Sequence, residues 1–155
     1  MDVVAGYLAE PPLLSVKKTT FRRIRDVVDP AWHQDGSFLG SDVRAVNLWL
    51  SLSHCGGDTD TVGLDLVAQR VDQILETGTD DAPATEVAIG QGAVDRASSV
   101  PIITPEFWPG DALLFDERFL HRTSAKVADP GVRYAVESWL FAPSHFPTEY
   151  GGLAL

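Results

Sequence analysis

The stretch Trp32-His33-Gln34-Asp35-Gly36 places an imidazole and a carboxylate two residues apart. On a β-strand, residues i and i+2 point to one face, so a strand over 31–35 would aim His33 and Asp35 at a common point. Two ligands do not complete a metal site, and His121 is the best candidate for the third. Two histidines and one carboxylate on one side of a metal, with the other positions open, are the ligand set of non-haem Fe(II) oxygenases. The plainer reading is a polar pair in a turn before Gly36 and a lone histidine serving the core or the surface. Arg133 sharpens the first reading: it lies twelve residues beyond His121, and its planar fork binds a carboxylate co-substrate through two parallel hydrogen bonds. Thr123, two residues after His121, faces the same way and can donate to the same carboxylate.

These residues need elements to hold them. Residues 19–28, rich in β-branched side chains, read as a strand, and 31–35 as a second carrying the His-x-Asp pair. Residues 36–42 read as a flexible loop beside it. The alternation is clearest over 43–53, where Val46, Leu48, Leu50 and Leu52 form an apolar face taken as core. The opposite face carries Asn47, Trp49 and Ser51 and suits a semi-polar cavity wall. Further strands are predicted over 63–67, 100–107 (an edge, because of Pro101 and Pro105), 112–115 (buried), 120–125 and 132–142. Residues 69–77 have helical spacing and a Gly78 stop; 79–99 is a weakly patterned excursion. Pro11-Pro12 stops any helix begun near Val3. Eight short strands and one or two short helices, punctuated by Pro and Gly, predict a mainly β chain: a cupin-like double-sheet jelly roll.

The 155 residues suffice for one domain with its own core, and no repeat divides them. A formal net charge of −10 opposes nucleic-acid binding, which depends on Lys and Arg neutralising phosphates. The one basic cluster, Lys17, Lys18, Arg22, Arg23 and Arg25, reads as mainly structural, with an anionic substrate as the alternative. No apolar run is long enough to span a bilayer and no leader pattern opens the chain, so no membrane role is expected and the cytoplasm is the default. The single cysteine, Cys55, fits a reducing compartment. It sits in a loop by composition, where a nucleophile or a soft metal ligand is conceivable but a bystander is the default.

Taken together, His33-Gln34-Asp35, then Pro109-Gly110-Asp111-Ala112-Leu113-Leu114-Phe115-Asp116, then His121 and Arg133, resemble the phytanoyl-CoA dioxygenase family. The resemblance runs from about residue 17 to 143. It implies a double-stranded β-helix and an Fe(II)- and 2-oxoglutarate-dependent dioxygenase that hydroxylates a small organic substrate with O2, giving succinate and CO2. It implies that His33, Asp35 and His121 hold iron and that Arg133, helped by Thr123, pairs with the distal carboxylate of 2-oxoglutarate. Gln34 and Trp49 fall where the family often contacts the co-substrate. Asn47 shares the face of Trp49 and is a further candidate for contact with substrate or co-substrate. Glu137 is expected to share the inward face of Arg133, to orient it, to touch substrate, or to be exposed. Related halogenases replace the carboxylate ligand with a small residue; this chain keeps Asp35, which favours hydroxylation.

The departure from the family is at the start of the chain. Members carry a largely helical region before the barrel, and only about 18 residues precede the first barrel strand here. Its absence favours a homodimer through exposed apolar surface. It also motivates a second reading, a metal- and 2-oxoglutarate-binding sensor or partner subunit without turnover. A third is a purely structural interaction domain.

Overall fold

The computed structural model describes residues 1–25, 30–40, 42–78, 81–82, 86–125 and 131–155. Helix α1 (Asp2–Leu8) ends at Ala9, which adopts the left-handed conformation (φ 60°) just ahead of Pro11-Pro12. Its buried residues, Val4 and Leu8, lie one turn apart on one face. Then come β1 (Leu13–Ser15), β2 (Thr20–Ile24), a four-residue helix α2 (Gly36–Leu39), β3 (Ala45–Ser51) and β4 (Leu64–Val67). Helix α3 (Gln91–Ala97), β5 (Ile102–Ile103), β6 (Ala112–Asp116), β7 (His121–Thr123), β8 (Arg133–Phe141) and β9 (Gly152–Ala154) complete the chain.

The strands form two antiparallel sheets. The larger runs β6-β3-β8-β1-β9, with β2 also paired to β8, and the smaller runs β5-β4-β7. Trp49, Phe115 and Ala135 from the large sheet meet Leu64 and Leu66 from the small one, with Cys55 and Phe107 closing the same cluster. Each large side chain buried there contributes roughly 1.5–3 kcal/mol. This is the expected double-sheet jelly roll. Among the described residues, no helix is long and apolar enough to cross a membrane.

Several local expectations are corrected. The core face of β3 is the opposite of the apolar one: Asn47, Trp49 and Ser51 are buried, whereas Leu48 and Leu50 are half-buried and Leu52 is 43% exposed. Val46 is buried because α1 lies over it, packing Val4 and Leu8 against Val46, Leu140 and Ala142. β6 is the edge of the large sheet, and Ala112 and Leu114 are exposed rather than buried. Residues 69–77 form no helix. Their backbone is claimed by distant side chains, with Gln34 bonded to Gln73 O and Leu75 N–H, and Arg118 to Asp72 O. The excursion instead holds α3, whose Val94 joins Trp32, Val67, Val71, Ile89 and Leu120 in a second core cluster. Residues 26–28 of the first predicted strand lie outside the described residues.

Candidate metal centre

No continuous strand carries the His-x-Asp pair. Trp32 makes a single bridge to Ile89 and His33 one to His121. The chain then turns, and Asp35 takes helical dihedrals (φ −58°, ψ −30°) as the N-cap of α2. Its carbonyl accepts from the N–H groups of Phe38 and Leu39, each at 3.2 Å. Gly36 suits this turn: its N–H donates to Glu117 O at 2.7 Å, and a Cβ there would crowd that same oxygen at 3.0 Å. His33 and Asp35 therefore converge through a turn and not through strand alternation. His121 opens β7 and reaches the same point from the small sheet.

Asp35 Oδ1 lies 3.9 Å from His33 Nε2 and 3.7 Å from His121 Nε2. The three ligand atoms all fall within 4.8 Å of one another. With metal–ligand bonds of about 2.1 Å, two ligands on one ion stand at most about 4.2 Å apart, so both carboxylate–imidazole separations fit a shared ion. The tautomers suit it too. Each Nδ1 faces a carbonyl, His33 to Ala31 O at 3.1 Å and His121 to Phe119 O at 3.0 Å. Nδ1 therefore carries the proton, and the Nε2 lone pair is free for a metal. Asn47 Nδ2 donates to Asp35 Oδ2 at 3.1 Å, which reserves Oδ1 for the ion. The electrostatics ask for a cation. Burial pushes both imidazoles down to about 4 and the Asp35 carboxyl up to about 6.

Deeper in the barrel, Arg133 is only 3% exposed. Nη1 donates to Gly63 O at 2.5 Å, Nη2 approaches Thr123 Oγ1 at 3.4 Å, and Nε has no partner. Among the described residues, no carboxylate makes an ion pair with it, and burial lowers its pKa. Its guanidinium carbon lies 5.7 Å from the centroid of the Trp49 ring, whose buried Nε1 also lacks an acceptor. Arg133 is thus flanked by Thr123 and by the Trp49 ring.

Gln34 is not part of this group. It is fully buried, and its amide is spent on the backbone of Gln73, Leu75 and Arg118 at 3.1, 2.8 and 2.6 Å. It braces the turn from behind, so the expected co-substrate contact is not kept. Cys55 is buried in the core against Ser51, and burial pushes its thiol up, opposite to what a nucleophile needs. Two members of the basic cluster have partners. Arg22 pairs with Glu137 at 2.9 Å, and the Lys18 ammonium lies 4.8–5.4 Å from the ring centroids of Tyr150, Phe38 and Trp139.

A cavity of about 340 Å³ opens in front of the triad; its walls include Phe38, Asn47, Val87, Thr123, Glu137 and Trp139. Glu137 does face inward, but it touches Thr20 and Arg22 and not Arg133. Phe38, Val87 and Trp139 were not foreseen. Trp139 was accessible from sequence, since 133, 135, 137 and 139 alternate onto one face of β8.

No protein-family profile matches the sequence, and no curated protein matches it either. Solved structures do. EctD from S. alaskensis with bound Fe superposes with a TM-score of 0.70 at 17% identity, over 93% of this chain and 50% of that one. AviO1 from Streptomyces viridochromogenes gives 0.64 at 15%, over 94% and 58%. The epimerase SnoN, in complex with Fe3+, alpha-ketoglutarate and nogalamycin RO, gives 0.62 at 16%, over 95% and 57%. The chain shares their fold. It spans about half to three-fifths of the length of each.

Proposed function

We propose that this chain forms the metal and co-substrate core of an Fe(II)- and 2-oxoglutarate-dependent oxygenase acting on a small organic molecule. The observation that carries this is one continuous arrangement: an open two-histidine, one-carboxylate face, with a buried, unpaired arginine beyond it whose Nε has no partner. An uncompensated buried guanidinium is costly to fold, and a dicarboxylate reaching from the metal to Arg133 would relieve that cost. The fold it shares with EctD and SnoN is consistent, since those proteins were crystallised with Fe and with 2-oxoglutarate or alpha-ketoglutarate.

Bound there, iron with 2-oxoglutarate and O2 supplies the oxidising power to attack a C–H bond, releasing succinate and CO2. The chain's residues do the positioning. His33, Asp35 and His121 would hold the metal. Arg133, helped by Thr123 and Trp49 Nε1, would take the distal carboxylate. Asn47 fixes which oxygen Asp35 offers. Hydroxylation is the favoured outcome. Asp35 occupies the position that a small residue takes in related halogenases.

The test is an anaerobic titration with Fe(II) and then 2-oxoglutarate, following the weak visible charge-transfer band of the chelate. The band is expected with the native chain and lost with Asp35→Ala. Arg133→Ala should require far more 2-oxoglutarate. Iron binding without a band would leave a metal-binding sensor or subunit; binding of neither would overturn the proposal.

A further inference from the structure

Besides the triad, Arg22 and Glu137 are the charged residues that line the cavity among those described, and they come from adjacent strands. In the register of β2 on β8, Thr20 stands opposite Glu137 and Arg22 opposite Ala135, so all four share the inward face. Arg22 reaches diagonally to its neighbour: Nε donates to Glu137 Oε2 at 2.9 Å, and Thr20 Oγ1 donates to the same oxygen at 3.5 Å. The Arg22 charge is felt as far in as Asp35, whose carboxylate form it favours.

Both partners keep bonding capacity in reserve. A bond through Nε leaves the Nη1–Nη2 edge of the guanidinium, and neither nitrogen is bonded to a described residue. Glu137 Oε1 likewise accepts from none. Neither side chain is sealed off, since 51% of the Arg22 surface and 17% of that of Glu137 stay open. The pair therefore holds itself in place and presents a two-nitrogen donor edge, which matches a carboxylate through parallel hydrogen bonds, beside a spare acceptor oxygen.

Charge balance decides what such a pair would take. Loaded with a divalent metal and dianionic 2-oxoglutarate, the centre formed by Asp35, Arg133 and two neutral imidazoles carries no net charge. Arg22 and Glu137 also cancel. A ligand with only a carboxylate would set two carboxylates against one guanidinium, and one with only an amine would set two cations against one carboxylate. An uncharged ligand would displace water from both without replacing it. A zwitterion leaves no charge in excess.

We infer that the cavity takes a small zwitterion of amino-acid type, its carboxylate on the Nη edge of Arg22, its ammonium on Glu137 Oε1, and its apolar part against Phe38 and Trp139, whose ring centroids stand 5.4 Å apart. The inference rests on the oxygenase reading, because the charge count takes the centre as loaded with metal and 2-oxoglutarate.

The experiment uses the full chain saturated with Ni(II) and 2-oxoglutarate. Leucine and cyclohexylglycine are each compared, by calorimetric titration, with the matching amine (isoamylamine, cyclohexylmethylamine) and the matching acid (isocaproate, cyclohexylacetate). Within each skeleton the zwitterion should bind tightest. The margin over the acid should be about tenfold, because Glu137 is largely buried. The margin over the amine should be about threefold, because water screens the half-exposed Arg22. Two variants should then move the preference in opposite directions: Arg22→Gln towards the amine, and Glu137→Gln towards the acid. An ion pair that served only to join β2 to β8 would move neither ratio. Amine or acid binding as tightly as the zwitterion in the native chain, binding by no probe of either skeleton, or a preference unmoved by both variants would each overturn the inference. Failure of Ni(II) and 2-oxoglutarate themselves to bind would instead bring down the oxygenase reading, and the two failures are distinguishable because loading is measured first.

Discussion

The main chains of His33 and His121 are bonded to each other, His33 N–H to His121 O at 3.0 Å and His121 N–H to His33 O at 3.1 Å. Their imidazoles stand 4.2 Å apart, centroid to centroid. The two residues that would hold a metal are thus also the isolated bridge between the segment before α2 and the small sheet.

A metal on this pair adds a second tie across that bridge and should stabilise the fold. At a free Ni(II) concentration one hundred times the dissociation constant, the gain is about 2.7 kcal/mol. For a chain of this length that is a rise in melting temperature of roughly 5–10 °C. Scanning calorimetry with and without Ni(II) should show it, chelator should reverse it, and His121→Ala should abolish it. A native protein whose melting is indifferent to metal would exclude the triad as a metal centre.

Affinity for the metal should depend on pH through one group first. All three ligands must be deprotonated to bind. Burial holds both imidazoles near 4, below the ordinary 6.5, so they are already neutral in the metal-free fold. It raises Asp35 from 3.8 to about 6, so below pH 6 its proton must be displaced. Fe(II) or Ni(II) affinity should therefore fall about tenfold per pH unit between pH 6 and 4, with close to one proton released per ion. Calorimetry in buffers of different ionisation enthalpy counts that proton. Stability of the metal-free fold follows each group's own sign. The raised Asp35 disfavours folding above about pH 6, and that penalty fades towards 3.8. The lowered histidines cost nothing above 6.5 and progressively more towards 4, because the unfolded chain takes up their protons first. With two imidazoles against one carboxyl, acidification from 6.5 to 4 should lower the melting temperature.

The chemistry was more legible in the sequence than the packing. The residue types and spacing of His33, Asp35, His121, Thr123 and Arg133 were readable directly; the structure brings the first four to one cavity and sets Arg133 beside Thr123. The face of β3 was misread because alternation says that two faces differ and not which is inside. A helix supplied from elsewhere, α1, covers part of the leucine face, while Asn47, Trp49 and Ser51 line the interior. Gln34 has the right chemistry for a ligand contact, but its direction is set by the loop at 73–75, which no local pattern announces. The helical period at 69–77 lost to those same tertiary bonds, and α3 was hidden by Gly90 and Gly92, which weaken any helix signal.

The Gln34 assignment can be tested against its alternative. A structural brace and a co-substrate ligand predict opposite outcomes for Gln34→Leu. The brace satisfies three backbone groups, at Gln73, Leu75 and Arg118, and leaving buried polar groups unpaired costs about 1–3 kcal/mol each. Chemical denaturation should show a loss of about 3 kcal/mol or more, while the variant that remains folded binds 2-oxoglutarate with native affinity. A large loss of 2-oxoglutarate affinity without loss of stability would return Gln34 to the site.

Arg133 should show function opposing stability. Its guanidinium is buried, unpaired by any described carboxylate, and holds only Gly63 O and Thr123 Oγ1. Replacing an uncompensated buried charge with an apolar side chain of similar length is often neutral or stabilising, by about 1–4 kcal/mol. Arg133→Met should therefore melt at or above the native temperature in the metal-free state, the lost bond to Gly63 O offsetting part of the gain. The same variant should bind 2-oxoglutarate roughly a hundredfold or more weakly, as expected when a buried charge pair loses one partner. Added 2-oxoglutarate should then stabilise the metal-loaded native chain but not the variant. If Arg133→Met instead lowers the melting temperature sharply and leaves 2-oxoglutarate binding intact, the arginine is a structural strut and the anion it awaits is not the co-substrate.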